Sequence, residues 1–233
     1  MPIRTGQTTA EGVSDSAYRR IKTDVIFGRL EPGLKLKLEK LAASYGASVS
    51  TLREALNRLC SEGFVVAEGQ KGFEVAPISP DEFRELAEMR ELLEGHALEG
   101  AFQDGDLDWE ARVVAAHHKL AALERMMLSG ESSRAEEWKQ CDWQFHHALI
   151  SACGSRVLLD AHAAVYDKYL RYQMIGVVFR GEAAALEHKR LLDAALKRDL
   201  ASAQKTLRSH LHDCVEHALK DPSWLARTPS RRR

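Results

Sequence analysis

The sequence predicts a mainly α protein in two parts, an N-terminal winged helix-turn-helix followed by an all-helical bundle. Three observations predict it. Between residues 36 and 76, two short amphipathic stripes are parted by a glycine and followed by two apolar runs around a glycine-bearing turn. From Ser79 onward the apolar residues recur with helical period over long segments, and none shows the alternation of a strand. Between the two patterns stands Pro77-Ile78-Ser79-Pro80, which suits a boundary.

The elements follow in chain order. Residues 1–13 are polar and read as a loose arm. Tyr18, Ile21 and Val25 mark a first helix that stops near Gly28. Leu38, Leu41, Ala42 and Tyr45 fall at i, i+3, i+4 and i+7, and Gly46 suits a left-handed stop directly after them. Ser48 then fits the N-cap of a helix whose apolar face is Leu52, Ala55, Leu56 and Leu59. Two helices joined so tightly, the second polar on its outer face, form the arrangement that reads DNA. Phe64 to Ala67 and Gly72 to Ala76, around Glu68-Gly69-Gln70-Lys71, complete a wing with Lys71 at its tip. The first domain therefore spans 14–78.

Ser79, with Pro80 at the first helical position and Glu82 three residues after the cap, reads as a capping box opening the second domain, 79–221. Helices are expected over roughly 80–102, 108–128, 134–153, 155–178, 183–197 and 200–219. Residues 222–233, ending in three arginines, read as a solvated tail. The whole chain has 33 Lys+Arg and 34 Asp+Glu, of which residues 1–78 hold 11 and 9. A mildly basic head on an acidic body fits one domain that meets phosphates and one that does not. The four cysteines form no CxxC pair, there is no hydrophobic signal core, and no apolar run approaches the roughly 18 residues of a span. A cytoplasmic protein with reduced thiols and no membrane partner is expected.

Chemistry concentrates in the second domain. Trp138, Cys141, Phe145, Leu149 and Ala152 form an inward stripe, and Asp142 and His146 adjoin it at i, i+4. A carboxylate and an imidazole facing an apolar interior are costly unless paired. His188 shares a face with Leu191, Leu192 and Ala195, and His210 with Ala203, Leu207 and Cys214. Asp199 suits the N-cap at the turn between them, 11 residues from each histidine. In an antiparallel hairpin the two imidazoles then stand level, about 16 Å from the turn at 1.5 Å per residue. Three imidazoles and a carboxylate can hold a divalent metal with positions left for water or a ligand. The plainer alternatives are core histidines with hydrogen-bond partners, and an i, i+4 pair of Asp142 with His146. Arg90 lies on the inward stripe Phe83, Leu86, Leu93, Ala97, where a guanidinium suits bidentate capture of a carboxylate; its alternative is an ion pair with Glu94. Arg171, with Tyr172 and Gln173, is a further candidate for polar contacts to such a ligand.

These residues also carry a resemblance. Pro32-Gly33, Leu41-Ala42, Gly46, Ser48, Leu52-Arg53-Glu54-Ala55-Leu56 with Leu59, and Gly63 followed by Gly72 resemble the DNA-binding domain of GntR-family bacterial transcription regulators over roughly residues 14 to 78. Asp142-Trp143-Gln144-Phe145-His146, Glu187-His188 with Ala194 and Asp199, and His210-Leu211 resemble the FCD effector domain of the FadR type. The resemblance implies a metal on Asp142, His146, His188 and His210, zinc before Ni2+ or Mn2+, beside a carboxylate-bearing effector, and it places an arginine at Arg90. On the DNA side, the hydroxyls of Ser48, Ser50 and Thr51 at the leading turn suit phosphates, Arg53 a phosphate or a guanine edge, and Lys71 with Gly72 lets the wing approach the duplex. The chain departs from the family pattern at Val49 and Glu39, where arginine is usual, and at Thr51, where proline is frequent. The expectation is a homodimeric, non-enzymatic regulator, a repressor that binds a palindromic double-stranded operator and is released by a small organic acid. A metal-dependent enzyme and a DNA-binding dimer with a purely structural metal are the rivals.

Overall fold

The computed structural model describes residues 13–68, 72–175 and 179–221. By its contacts the chain divides between Pro77 and Ile78 into two compact units.

In the first unit, helix α1 (Val13–Ile26) buries Ala17, Ile21 and Val25. Tyr18 stays only partly buried, its hydroxyl donating to Glu62 at 2.6 Å. Helix α2 (Leu38–Tyr45) ends at Gly46, whose φ of 63° puts it in the left-handed region. Helix α3 (Val49–Ser61) starts at Ser48, which accepts from the Thr51 N–H, and buries Leu52, Ala55, Leu56 and Leu59 as the spacing required. The wing consists of β2 (Val65–Ala67) and β3 (Phe73–Val75), antiparallel, with Val65 opposite Val75 and Ala67 opposite Phe73. Sequence reading missed a third strand, β1 (Lys35–Leu36), which pairs with β3 and gives the order β1-β3-β2. Two residues are too short a run to show alternation, so only tertiary pairing reveals it.

The second unit contains six long helices among its described residues: α4 (Pro80–Asp104), α5 (Leu107–Leu128), α6 (Ala135–Ile150), α7 (Arg156–Ile175), α8 (Glu182–Lys197) and α9 (Leu200–Leu219). A 3-10 turn, Ser132–Arg134, leads into α6. Asp106 caps α5 through the Trp109 N–H, and the Trp109 indole N–H donates to the Ala148 carbonyl at 3.0 Å, fixing α5 against α6. The capping box at Ser79 forms in altered shape. Ser79 accepts from the Glu82 N–H, but the Glu82 carboxylate takes the Tyr172 hydroxyl at 2.5 Å, and that hydroxyl in turn accepts the Ser79 N–H at 3.3 Å. A tyrosine from α7 thus stands between the two halves of the box.

α8 and α9 form the hairpin that the spacing called for. Asp199 caps α9 through the Ser202 N–H at 3.0 Å, and Arg198 makes the turn with a φ of 56°. Arg198 is held there by the Gly105 carbonyl at 2.8 Å, by Glu110 at 2.6 Å and by the face of Trp109. This turn brings the two hairpin histidines to the same height. No helix among the described residues is long and apolar enough to cross a membrane.

Candidate functional site

Four side chains meet in the core of the helical unit. Asp142 and His146 come from α6, His188 from α8 and His210 from α9. One ligand atom from each lies within 4.8 Å of the others, and all four residues are buried. The hairpin histidines have ring centroids 4.7 Å apart, and His146 is 5.7 Å from His188 and 5.3 Å from His210. The level placement inferred from equal distances to Asp199 therefore holds.

Each imidazole is fixed from behind by a separate glutamate. His146 Nδ1 is 2.8 Å from Glu94, His188 Nδ1 is 2.6 Å from Glu124, and His210 Nδ1 is 2.8 Å from Glu187. A carboxylate on one ring nitrogen sets the tautomer and leaves Nε2 as the lone-pair donor. Nε2 of His146 and of His188 are buried with no hydrogen-bond partner among the described residues. His188 Nε2 stands 3.2 Å from Asp142 Oδ1 without hydrogen-bond alignment, as two ligands of a common ion would. Buried orphaned polar atoms are rare unless something fills the space between them. Three imidazole nitrogens and one carboxylate oxygen fit a divalent transition metal, with room in its shell for an exogenous ligand.

The electrostatics agree. Burial raises the Asp142 carboxyl, yet Lys139 and the histidines outweigh it and hold the group well below its ordinary range. Burial would lower His188, but the Asp142 and Glu124 carboxylates push it up to about 9. Burial drives His210 down to about 3 against the pull of Glu187, and it lowers His146 despite Glu94. Without metal, one imidazolium at His188 supplies positive charge that an ion would supply when bound.

Arg90, read either as a carboxylate-capturing group or as the ion-pair partner of Glu94, makes the ion pair. It is 1 % exposed, its Nε donates to Glu94 Oε1 at 2.6 Å, and its guanidinium lies 4.2 Å from the Tyr166 ring and 4.6 Å from the Tyr169 ring. Glu94 also receives His162 Nε2 at 2.9 Å, so Arg90 meets the centre through Glu94. Arg171 is buried on α7, where burial lowers its guanidinium against the pull of Tyr172 and Glu82. Sequence reasoning passed over several neighbours: Glu124, Tyr166, whose hydroxyl donates to Asp142 Oδ2 at 2.8 Å, Lys139 at 3.5 Å from the same oxygen, and Arg180, which donates to Glu187 and to the His210 carbonyl. Glu124 was the most accessible of these, since it follows Leu120 and Leu123 onto the buried side of α5.

In the first unit, Ser48, Ser50 and Arg53 are exposed and Thr51 is half-buried. The three hydroxyls cluster at the start of α3, Ser48 Oγ lying 2.8 Å from Ser50 Oγ and 2.9 Å from Thr51 Oγ1. Val49 presents an apolar side chain, 40 % exposed, beside them. Gly72 enters β3 with a φ of 106°, and Lys71 lies outside the described residues.

A winged helix carrying an open polar helix face, joined to a helical unit with a buried ligand cage, defines a regulator class rather than an enzyme class. Comparison with known proteins agrees. The family profile described as "Bacterial regulatory proteins, gntR family" matches residues 13–75, and the FCD domain matches residues 85–213. The chain is 34% identical over 203 residues to the uncharacterized HTH-type transcriptional regulator BphR of Paraburkholderia xenovorans, covering 86% of this chain and 83% of that protein. It is 34% identical over 200 residues to the HTH-type transcriptional repressor GlaR of Escherichia coli, covering 83% and 90%. The fold matches the E. coli McbR/YncC structure with a TM-score of 0.75 at 19% identity, covering 91% and 99%. This chain belongs to the GntR family of DNA-binding transcription regulators, of the FadR type with an FCD domain.

Proposed function

We propose that the protein is a ligand-responsive repressor, a cytoplasmic homodimer that grips a palindromic operator and is released by a small carboxylate bound at a zinc ion in the helical unit. The observation that carries the reading is the cage of Asp142, His146, His188 and His210, backed by three glutamates and retained in a chain with a DNA-binding unit. Bound zinc would supply Lewis acidity toward a carboxylate oxygen; Ni2+ or Mn2+ would serve similarly. The chain's own residues keep the Nε2 lone pairs aimed inward and seal the centre from bulk water. Arg90 belongs to the support of His146 rather than to the ligand.

Dimerisation follows from operator chemistry, because one winged helix meets too few phosphates and bases for tight specific binding. Exposed apolar side chains on α4, Met89 and Leu92, offer apolar area for it. Repression is favoured by the name that GlaR carries. The deciding experiment is a mobility shift of the protein's own promoter DNA at low salt, with a panel of small carboxylates, with zinc and with chelator. Retardation that one acid reverses only in metal-loaded protein is the expected result. No sequence-specific shift would sink the proposal, and a shift indifferent to every acid, with unfolding on chelation, would make the metal purely structural.

On the DNA side, Ser48, Ser50, Thr51 and Arg53 face the operator from the start of α3, with Lys71 and Gly72 approaching from the wing. Arg53→Ala is expected to weaken promoter binding. If Arg53 meets a phosphate, the slope of log affinity against log salt falls by about one unit. An unchanged slope with relaxed preference at one base pair identifies a guanine contact instead.

A further inference from the structure

Lys139 is 3 % exposed and is the only buried lysine among the described residues. A buried ammonium is costly unless its charge is matched and its protons are accepted. Here the match is loose. Its nearest recorded carboxylate oxygen is Asp142 Oδ2 at 3.5 Å, and that oxygen already accepts the Tyr166 hydroxyl at 2.8 Å. The ammonium lies 4.0 Å from the ring centroid of Trp138, and the buried Trp138 indole N–H finds no acceptor among the described residues. The ammonium thus stands over the Trp138 ring face, 3.5 Å from one ligand of the cage, and the indole N–H at that ring's edge is a second buried donor without an acceptor among the described residues.

The charges around the cage sharpen the point. Asp142, Glu94, Glu124 and Glu187 face Arg90, Lys139 and Arg180, which leaves a formal charge of −1 when the imidazoles are neutral. With a divalent ion on the four ligands, whose imidazoles are then neutral, the loaded cage totals +1. The ion also draws on the Asp142 carboxylate, the group that compensates Lys139. The loaded cage then lacks one negative charge, beside two hydrogen-bond donors.

Resting on the function proposed above, we infer that Lys139 and the Trp138 N–H form the anion-receiving subsite of the sensor. The ligand class is a small acid that presents one carboxylate to the ion and to these two donors together. Lys139 changes partner on binding, from Asp142 to the incoming carboxylate. This couples anion binding to metal occupancy, because only the loaded cage leaves the ammonium unmatched.

The test uses the full chain loaded with Co2+, whose visible bands report an anion entering the coordination shell, and acetate as the probe. Lys139→Met keeps the stem over Trp138 and removes the charge. It is expected to weaken acetate binding about tenfold or more, the value of a charge-assisted hydrogen bond. Co2+ affinity, measured by chelator competition, should stay equal or rise. Lys139→Arg should restore most of the acetate affinity, and Trp138→Phe should reduce it by a smaller factor. Equal acetate binding in wild type and Lys139→Met overturns the inference while leaving the sensor reading intact, since Lys139 would then serve only Asp142. Failure of wild-type Co2+ protein to bind acetate at all overturns both.

Discussion

Arg90→Met is expected to destabilise the helical unit by about 3–5 kcal/mol, the cost of leaving a buried charge without its partner. Glu94 is 2 % exposed and touches Arg90, His146 and His162, so losing the guanidinium leaves its carboxylate with imidazoles alone. Burial would raise Glu94, and Arg90 is the first of the charges that instead hold it well below the ordinary carboxylate range. At about 2–4 °C per kcal/mol for a chain of this size, the melting temperature falls by roughly 6–20 °C. The double substitution Arg90→Met with Glu94→Gln should recover part of the loss, because it removes both charges. Denaturant titration of wild type, Arg90→Met, Glu94→Gln and the double variant measures the coupling. A single substitution that leaves stability unchanged but abolishes acid binding would return Arg90 to the ligand-capture role.

Metal affinity is expected to climb about tenfold per pH unit from neutrality to pH 9 and then level off. The cause is His188, held up to about 9 by Asp142 and Glu124 against burial, so its Nε2 must surrender a proton before it can donate to an ion. His210, at about 3, and His146, lowered by burial, are already neutral and add no slope. Calorimetry in buffers of different ionisation enthalpy should find close to one proton released at neutral pH. Release of none would contradict the assignment of His188. The same shift sets the behaviour of metal-free protein. A group whose folded pKa is raised contributes stability that is complete below its unfolded value, 6.5, and disappears as pH rises through about 9. Metal-free protein should therefore soften across that window. Glu124→Gln should weaken metal binding about 10- to 100-fold and shrink the proton release.

Much of this architecture was legible because helices write their faces into the sequence. The Leu52, Ala55, Leu56, Leu59 stripe and the Gly46 stop gave the helix-turn-helix, and the equal spacing of His188 and His210 from Asp199 gave the meeting of two ligands. The two-residue β1 was not legible, since its identity rests wholly on pairing with β3. The support of the cage was hidden for a related reason. Glu94, Glu124 and Glu187 lie 52, 64 and 23 residues from the histidines they hold, and no local period links such pairs. Arg90 kept two readings, ligand capture and an ion pair with Glu94, because a stripe says which way a side chain faces but not what it will find there; the ion pair is the contact present. Lys139 escaped notice because a lysine next to an apolar stripe normally carries its charge out to water.

The carboxylates behind the imidazoles have a mechanical consequence. Glu94 belongs to α4, Glu124 to α5, Asp142 and His146 to α6, His162 and Tyr166 to α7, Glu187 and His188 to α8, and His210 to α9. A bound ion would act as a single rivet through all six long helices among the unit's described residues. The α4 leg of that rivet begins at Pro80, three residues beyond Pro77, the last residue of the first unit.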